Sequence, residues 1–189
     1  MIYNLEDLRN AYEAGQTFKY LFFWGNTPAA DGGITEACLS QWWQCRFEVE
    51  ETEYSCAEQY MMAEKARLFG DQEMFRKIME AVHPKKMKAY GRAVRGFDET
   101  VWNRSCQEIV RRGNEAKFSQ NPELWEFLKG TRNRILVEAS PRDRVWGIGM
   151  GRTNPDAQCP LKWKGTNLLG FVLTRVRDGM LEKENRQKV

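Results

Sequence analysis

One histidine in 189 residues, His83 followed by a proline, leaves almost no imidazole for metal binding or for a Cys–His nucleophile. The five cysteines, Cys38, Cys45, Cys56, Cys106 and Cys159, are odd in number and never fall as C-x-x-C, so neither a disulfide framework nor a zinc site is supported. No stretch approaches 18 apolar residues, and the start Met-Ile-Tyr-Asn-Leu-Glu-Asp lacks the basic and apolar regions of a secretory signal. Charge of one sign is also scarce. The 29 Lys and Arg against 26 Asp and Glu leave +3, too little for a protein that wraps DNA without sequence preference. Internal repeats, linkers and low-complexity segments are absent apart from a polar tail at 182–189, expected to fray. These absences predict a reduced, intracellular protein, cytoplasmic or nuclear, with a small anionic ligand and no membrane partner.

With 42% hydrophobic residues, the chain is long enough for one domain, 1–189, with its core over about 20–180. Phe18–Trp24 is aromatic-rich and stops at Gly25-Asn26, as a strand does; Arg46–Glu50 alternates with period two. A helix is expected from the S-x-x-E pair Ser55/Glu58 to Phe69, stopped by Gly70, and a second over 72–81, ending before Pro84. A short basic helix over 85–90 follows, then one from Glu99 to Arg112, capped by Asp98 and closed by Gly113. Asn121-Pro122 opens a helix that ends at Gly130. Ile135–Ala139 reads as a buried strand, 145–151 as a glycine-punctuated loop, and Leu168 to Met180 as a last helix opened by Asn167. The fold class is α+β, mainly α-helical, with a few short strands.

Glu58 and Lys65 stand seven residues apart on the first strong helix, about two turns, and so share a face. A carboxylate and an amine aimed into one cleft suffice for acid–base or imine chemistry at a sugar carbon. Met61, Met62 and Phe69 around Lys65 would lower its pKa and make it a usable nucleophile. Each residue also has an ordinary role, Glu58 as the third residue of a capping box and Lys65 as a solvated lysine. Cys56, just before the helix, is a candidate reactive thiol.

Trp102 falls on an amphipathic helix, where an indole is by default core. Trp146 lies between Pro141-Arg-Asp-Arg144 and Gly147-Ile-Gly149-Met-Gly151, beside Asp143 and backbone that a ligand can approach closely. A base or ribose stacked on the indole with Asp143 on sugar hydroxyls, and an aromatic anchor with a capping aspartate, both fit. The glycine spacing is wrong for a dinucleotide fingerprint, though the amides of Gly147 and Gly149 can meet a phosphate. Asn167, after Trp163-Lys-Gly-Thr at a helix start, is a second anion site or a plain cap.

Five ordered segments resemble the NADAR, or YbiA-like, family: Ala57-Glu-Gln-Tyr-Met-Met-Ala-Glu-Lys-Ala66, Gly91-Arg-Ala-Val-Arg-Gly-Phe97 with Trp102, Ala116-Lys-Phe-Ser-Gln-Asn121, Leu136-Val-Glu-Ala-Ser-Pro-Arg-Asp-Arg-Val-Trp-Gly147 and Gly165-Thr-Asn-Leu-Leu-Gly170. The resemblance implies a compact YbiA-like domain and an N-glycosidase acting on ribose linked through nitrogen, with no metal or cofactor. The implied substrate is a guanine nucleotide or nucleic acid bearing ADP-ribose on its amino group, or a phosphoribosylamino-pyrimidine intermediate of riboflavin synthesis. It also implies that Glu58, Trp102, Asp143 and Trp146 are functional and that Lys65 is the family's helix lysine. Where the family reads Ser-Asn, this chain has Ser40-Gln41, an amide with a longer reach toward the ligand. Two routes follow from the implied chemistry. The ring opens to an imine that Lys65 takes over, or Glu58 activates water directly. A non-catalytic ADP-ribose reader and a structural nucleic-acid module are the competing classes.

Overall fold

Residues 1–187 are described by a computed structural model, which divides the chain into two compact units: Met1–Ser40 with the chain from Glu123 onward, and Gln41–Pro122. In the first unit, strands β1 (Tyr20–Phe23) and β4 (Ile135–Glu138) pair in parallel, Tyr20 opposite Ile135 and Phe23 opposite Glu138. Helix α1 (Leu5–Glu13), which sequence reading missed, is capped by Asn4 and buries Leu8. Leu8 joins Ile135, Val137, Ile148, Met150, Trp163 and Phe171 in the core of this unit. Helix α6 (Pro122–Gly130) buries Leu124, Trp125 and Leu128, and α7 (Leu168–Gln187) packs against β4. A Cβ at Gly170 would sit 2.0 Å from the Leu136 carbonyl oxygen, so only glycine allows this approach.

The expected fraying of the tail is corrected for 182–187, which continue α7. Trp125 Nε1 and Lys129 Nζ donate to the two oxygens of Glu184 at 2.6 and 2.8 Å, tying the polar end of the helix to α6. Residues 188–189 lie outside the described residues.

The second unit opens with the antiparallel hairpin β2 (Phe47–Val49) and β3 (Thr52–Tyr54). Its two-residue turn, Glu50 (φ 49°) and Glu51 (φ 60°), is left-handed at both positions, where glycine or asparagine is usual. Helices α2 (Ala57–Leu68), α3 (Gln72–Glu80), α4 (Pro84–Arg92) and α5 (Glu99–Ser119) follow. Asp71 caps α3 and is held by Arg95 through the guanidinium at 2.7 and 3.0 Å. Gly113 does not close α5, as its type predicts; the helix runs two more turns because Gly113 is a contact point. A Cβ there would lie 2.3 Å from the ring of Tyr60, so the missing side chain lets α5 seat against α2. Tyr60 in turn meets Tyr54 and Phe47, ring centroids 5.1 and 6.2 Å away. The result is the mainly helical α+β fold expected, with seven α-helices among the described residues. No helix there is long and apolar enough to cross a membrane.

Candidate functional site

At the start of α2 the expected capping box is not formed. Cys56 is the N-cap, extended at φ −167°, and makes no side-chain bond to the helix. Ser55 instead donates from its backbone N–H and its hydroxyl to Gln59 Oε1, at 2.8 and 2.9 Å. Gln59 has a donor that glutamate lacks, and it binds the carbonyls of Ile78 and Met79 at 3.1 Å each. Gln59 thus accepts the Ser55 N–H that a capping box would assign to Glu58. The Glu58 N–H donates to the Gln41 carbonyl at 2.8 Å, and its side chain is buried, 2% exposed.

Three further polar residues that sequence reading left aside or only partly used are buried in this unit. Asn114 Nδ2 donates to Gln41 Oε1 and to the Val110 carbonyl, both at 2.8 Å. Lys117, one turn further along α5, is fully buried with its ammonium 5.1 Å from the Phe118 ring centroid. The charges of Glu58 and Lys117 both act on the Cys56 thiol, so the two share its neighbourhood; burial dominates and pushes that thiol up to about 11. Cys56 is therefore a protonated, packed thiol and not the reactive one its helix-start position predicts. Lys117 lies beyond Gly113, where sequence reading ended the helix, and a lysine carries no sequence signal of burial, which is why it was quoted only within a family segment and given no role.

Lys65 lies roughly 10 Å along α2 from Glu58 on the rise of an α-helix. Its ammonium sits 4.1 Å from the Phe97 ring centroid and 5.4 Å from that of Trp102. Phe97 also meets Phe69 edge-on, with centroids 5.4 Å apart. Burial first, and the charge of Arg92 second, lower the Lys65 pKa, while the two ring faces favour the charged form. Trp102 is half-buried on α5, so its ring is part of this cation–aromatic cluster and not sealed core. The sequence signal for Phe97 was an aromatic directly before the Asp98 cap, the position of a hydrophobic staple.

In the first unit, Asp143 Oδ1 accepts from the N–H groups of Val145 and Trp146 at 2.9 and 2.8 Å, shaping the turn that presents the half-buried Trp146. A Cβ at Gly147 would come within 2.8 Å of the Glu138 carbonyl oxygen, and Gly149 is left-handed at φ 68° with its N–H bound to the Asp143 carbonyl. Both glycines have a backbone reason to be there. Asn167 is fully buried and left-handed at φ 55°. Its Oδ1 accepts from the Glu138 N–H and its Nδ2 donates to the Leu136 carbonyl, each at 2.9 Å, so its amide borders β4 as a neighbouring strand would.

Two shallow concavities of about 500 and 290 Å³ lie elsewhere in the second unit, one between β2 and α5 and one at the α3–α4 junction around Val82 and His83. Among the described residues, no group of three or more His, Cys, Asp or Glu side chains is placed to hold a metal ion.

In the second unit α2 carries a buried carboxylate and, two turns on, a lysine in a cation–aromatic cluster; the Asp143–Trp146 turn belongs to the first unit. The NADAR domain model matches residues 22–181, and the chain belongs to the NADAR family. It is 44% identical over 177 residues to the N-glycosidase R617 of Acanthamoeba polyphaga mimivirus, covering 91% of this chain and 99% of that one. It is 27% identical to the N-glycosidase Npun_R5314 of Nostoc punctiforme, over 75% of this chain and 83% of that one. The fold is that of the E. coli protein YbiA, whose NMR structure matches with a TM-score of 0.71 over 89% of each chain at 22% identity. Such relatives place the chain among hydrolases of N-glycosyl bonds.

Proposed function

We propose that this protein hydrolyses the N-glycosyl bond joining ADP-ribose to the exocyclic amino group of guanine, reversing ADP-ribosylation of a nucleotide or nucleic acid. The observation that carries the reading is Glu58, a carboxylate buried at the start of α2 while Gln59 takes the Ser55 N–H. In a water-poor site a carboxylate moves a proton to or from the glycosidic nitrogen, or from water toward an oxocarbenium-like carbon. Lys65, its pKa lowered by burial and Arg92, is the amine for the alternative route, in which the ring opens and the lysine exchanges onto the anomeric carbon. Trp146 and Trp102 are assigned to stacking, Gln41 to ligand contact, Asp143 to the ribose, and the Gly147 and Gly149 backbone with Asn167 to shaping the surface the ligand meets.

Incubation with an ADP-ribosylated guanine oligonucleotide tests this directly. Free ADP-ribose is expected from the parent chain and none from Glu58→Gln. Binding without release at stoichiometric protein leaves a non-catalytic reader instead. A second substrate, a phosphoribosylamino-pyrimidine, is favoured by one observation: the chain is 31% identical over 113 residues to the riboflavin biosynthesis protein PYRR of Zea mays, covering 58% of this chain and 16% of that one. Offering both substrates to the same preparation ranks them by kcat/KM.

A further inference from the structure

The amides of Gln41 and Asn114 are joined on one side only. Asn114 Nδ2 is spent on Gln41 Oε1 and the Val110 carbonyl, which fixes which end of each amide is oxygen and which nitrogen. That leaves Gln41 Nε2, a donor, and Asn114 Oδ1, an acceptor, both buried and without a hydrogen-bond partner among the described residues. Gln41 is 8% exposed and Asn114 fully buried. Two amides that formed both of their mutual bonds would need nothing more; this pair is held open, in the unit that carries Glu58. A buried donor and acceptor left unpaired each lose their bonds to water with nothing in return, so a group that satisfies both is strongly selected. A carboxylate or phosphate oxygen accepts but does not donate, and an ammonium donates but does not accept. A hydroxyl does both.

The geometry points to a hydroxyl-binding subsite: we propose that one ribose hydroxyl of the substrate accepts from Gln41 Nε2 and donates to Asn114 Oδ1. The Gln41 backbone carbonyl holds the Glu58 N–H at 2.8 Å, so the subsite is linked through one residue to the carboxylate that acts on the glycosidic bond. The inference deepens the N-glycosidase reading and rests on it. It holds equally for an ADP-ribosyl and a phosphoribosyl substrate, since both carry the same ribose. It also gives Asn114, a residue that neither pattern nor resemblance singled out, a binding role.

Calorimetric binding to the full chain tests it with ADP-ribose and ribose 5-phosphate as probes, each beside its analogues lacking the 2- or the 3-hydroxyl of the reducing ribose. For at least one probe, one of the two deoxy analogues is expected to bind about 10–100-fold more weakly than its parent, as one or two newly unpaired buried groups require. Asn114→Ala should weaken the parent probe by a similar factor and show no further loss on removal of that hydroxyl, while its thermal unfolding stays cooperative. A bound water in place of the hydroxyl predicts the opposite: parent and both deoxy analogues bind within twofold, and the proposal falls while the glycosidase reading stands. Failure of both parent probes to bind, together with no release of free sugar, sinks the proposal and the functional reading together. If Asn114→Ala does not fold, the deoxy series on the unaltered chain decides alone.

Discussion

Asn167→Ala should unfold this protein more readily than any surface change, and the size of the loss can be worked from the structure. The substitution removes the acceptor of the Glu138 N–H and the donor to the Leu136 carbonyl, two 2.9 Å bonds on the edge of β4 not paired with β1. Leaving those two backbone groups unpaired costs about 1–3 kcal/mol each, so ~2–5 kcal/mol in sum where water reaches part of the edge. Alanine at φ 55° adds about 1 kcal/mol, because its Cβ crowds the left-handed backbone that asparagine tolerates better. Against a typical total of about 5–15 kcal/mol this is a large share. Urea unfolding of the parent, Asn167→Ala and Asn167→Gly separates the two contributions. Glycine should recover the conformational part, about 1 kcal/mol, and none of the hydrogen-bond part. An Asn167→Ala chain within 1 kcal/mol of the parent at unchanged m value, with KM for substrate raised, would refute the strand-mimic account and return Asn167 to the ligand.

Glu51→Gly should stabilise the hairpin by about 1 kcal/mol, since it relieves a left-handed glutamate and keeps the Glu50–Arg112 ion pair at 2.6 Å; a lowered unfolding midpoint would count against it. Asp71→Asn keeps a good helix cap but loses the Arg95 charge partner, whose hydrogen bonds hold the Asp71 carboxyl well below the usual carboxylate range. A depressed folded-state pKa gives stability present above the unfolded value of about 3.9 and lost as pH falls through the folded one. The parent should therefore exceed Asp71→Asn at pH 7, with the gap beginning to narrow only as pH falls below about 4 and closing toward the depressed folded-state value, read as urea midpoints across pH. Lys65 separates the two chemical routes: borohydride added during turnover traps sugar on Lys65 if the imine forms. With direct water attack nothing is trapped, and Lys65→Ala loses binding more than kcat.

What the amino-acid order determined by itself is local. Asp98 before α5, Asn121-Pro122 before α6, Pro84 at the first turn of α4 and Gly70 at φ 70° after α2 each act within one turn of the chain, so their effect is legible from neighbours three or four residues away. The carboxylate and lysine of α2 were equally visible, because helical spacing alone puts them on one face. Tertiary structure decided the rest, since it depends on partners far along the chain. Gln41 and Asn114 meet across 73 residues, and Asn167 borders a strand 29 to 31 residues before it. The capping box failed because Gln59 found carbonyls on α3, the helix stop at Gly113 failed because Tyr60 needed its space, and the tail stayed helical because Glu184 met Trp125 and Lys129. In each case a local preference worth about 1 kcal/mol gave way to buried contacts worth more, a balance that only packing sets.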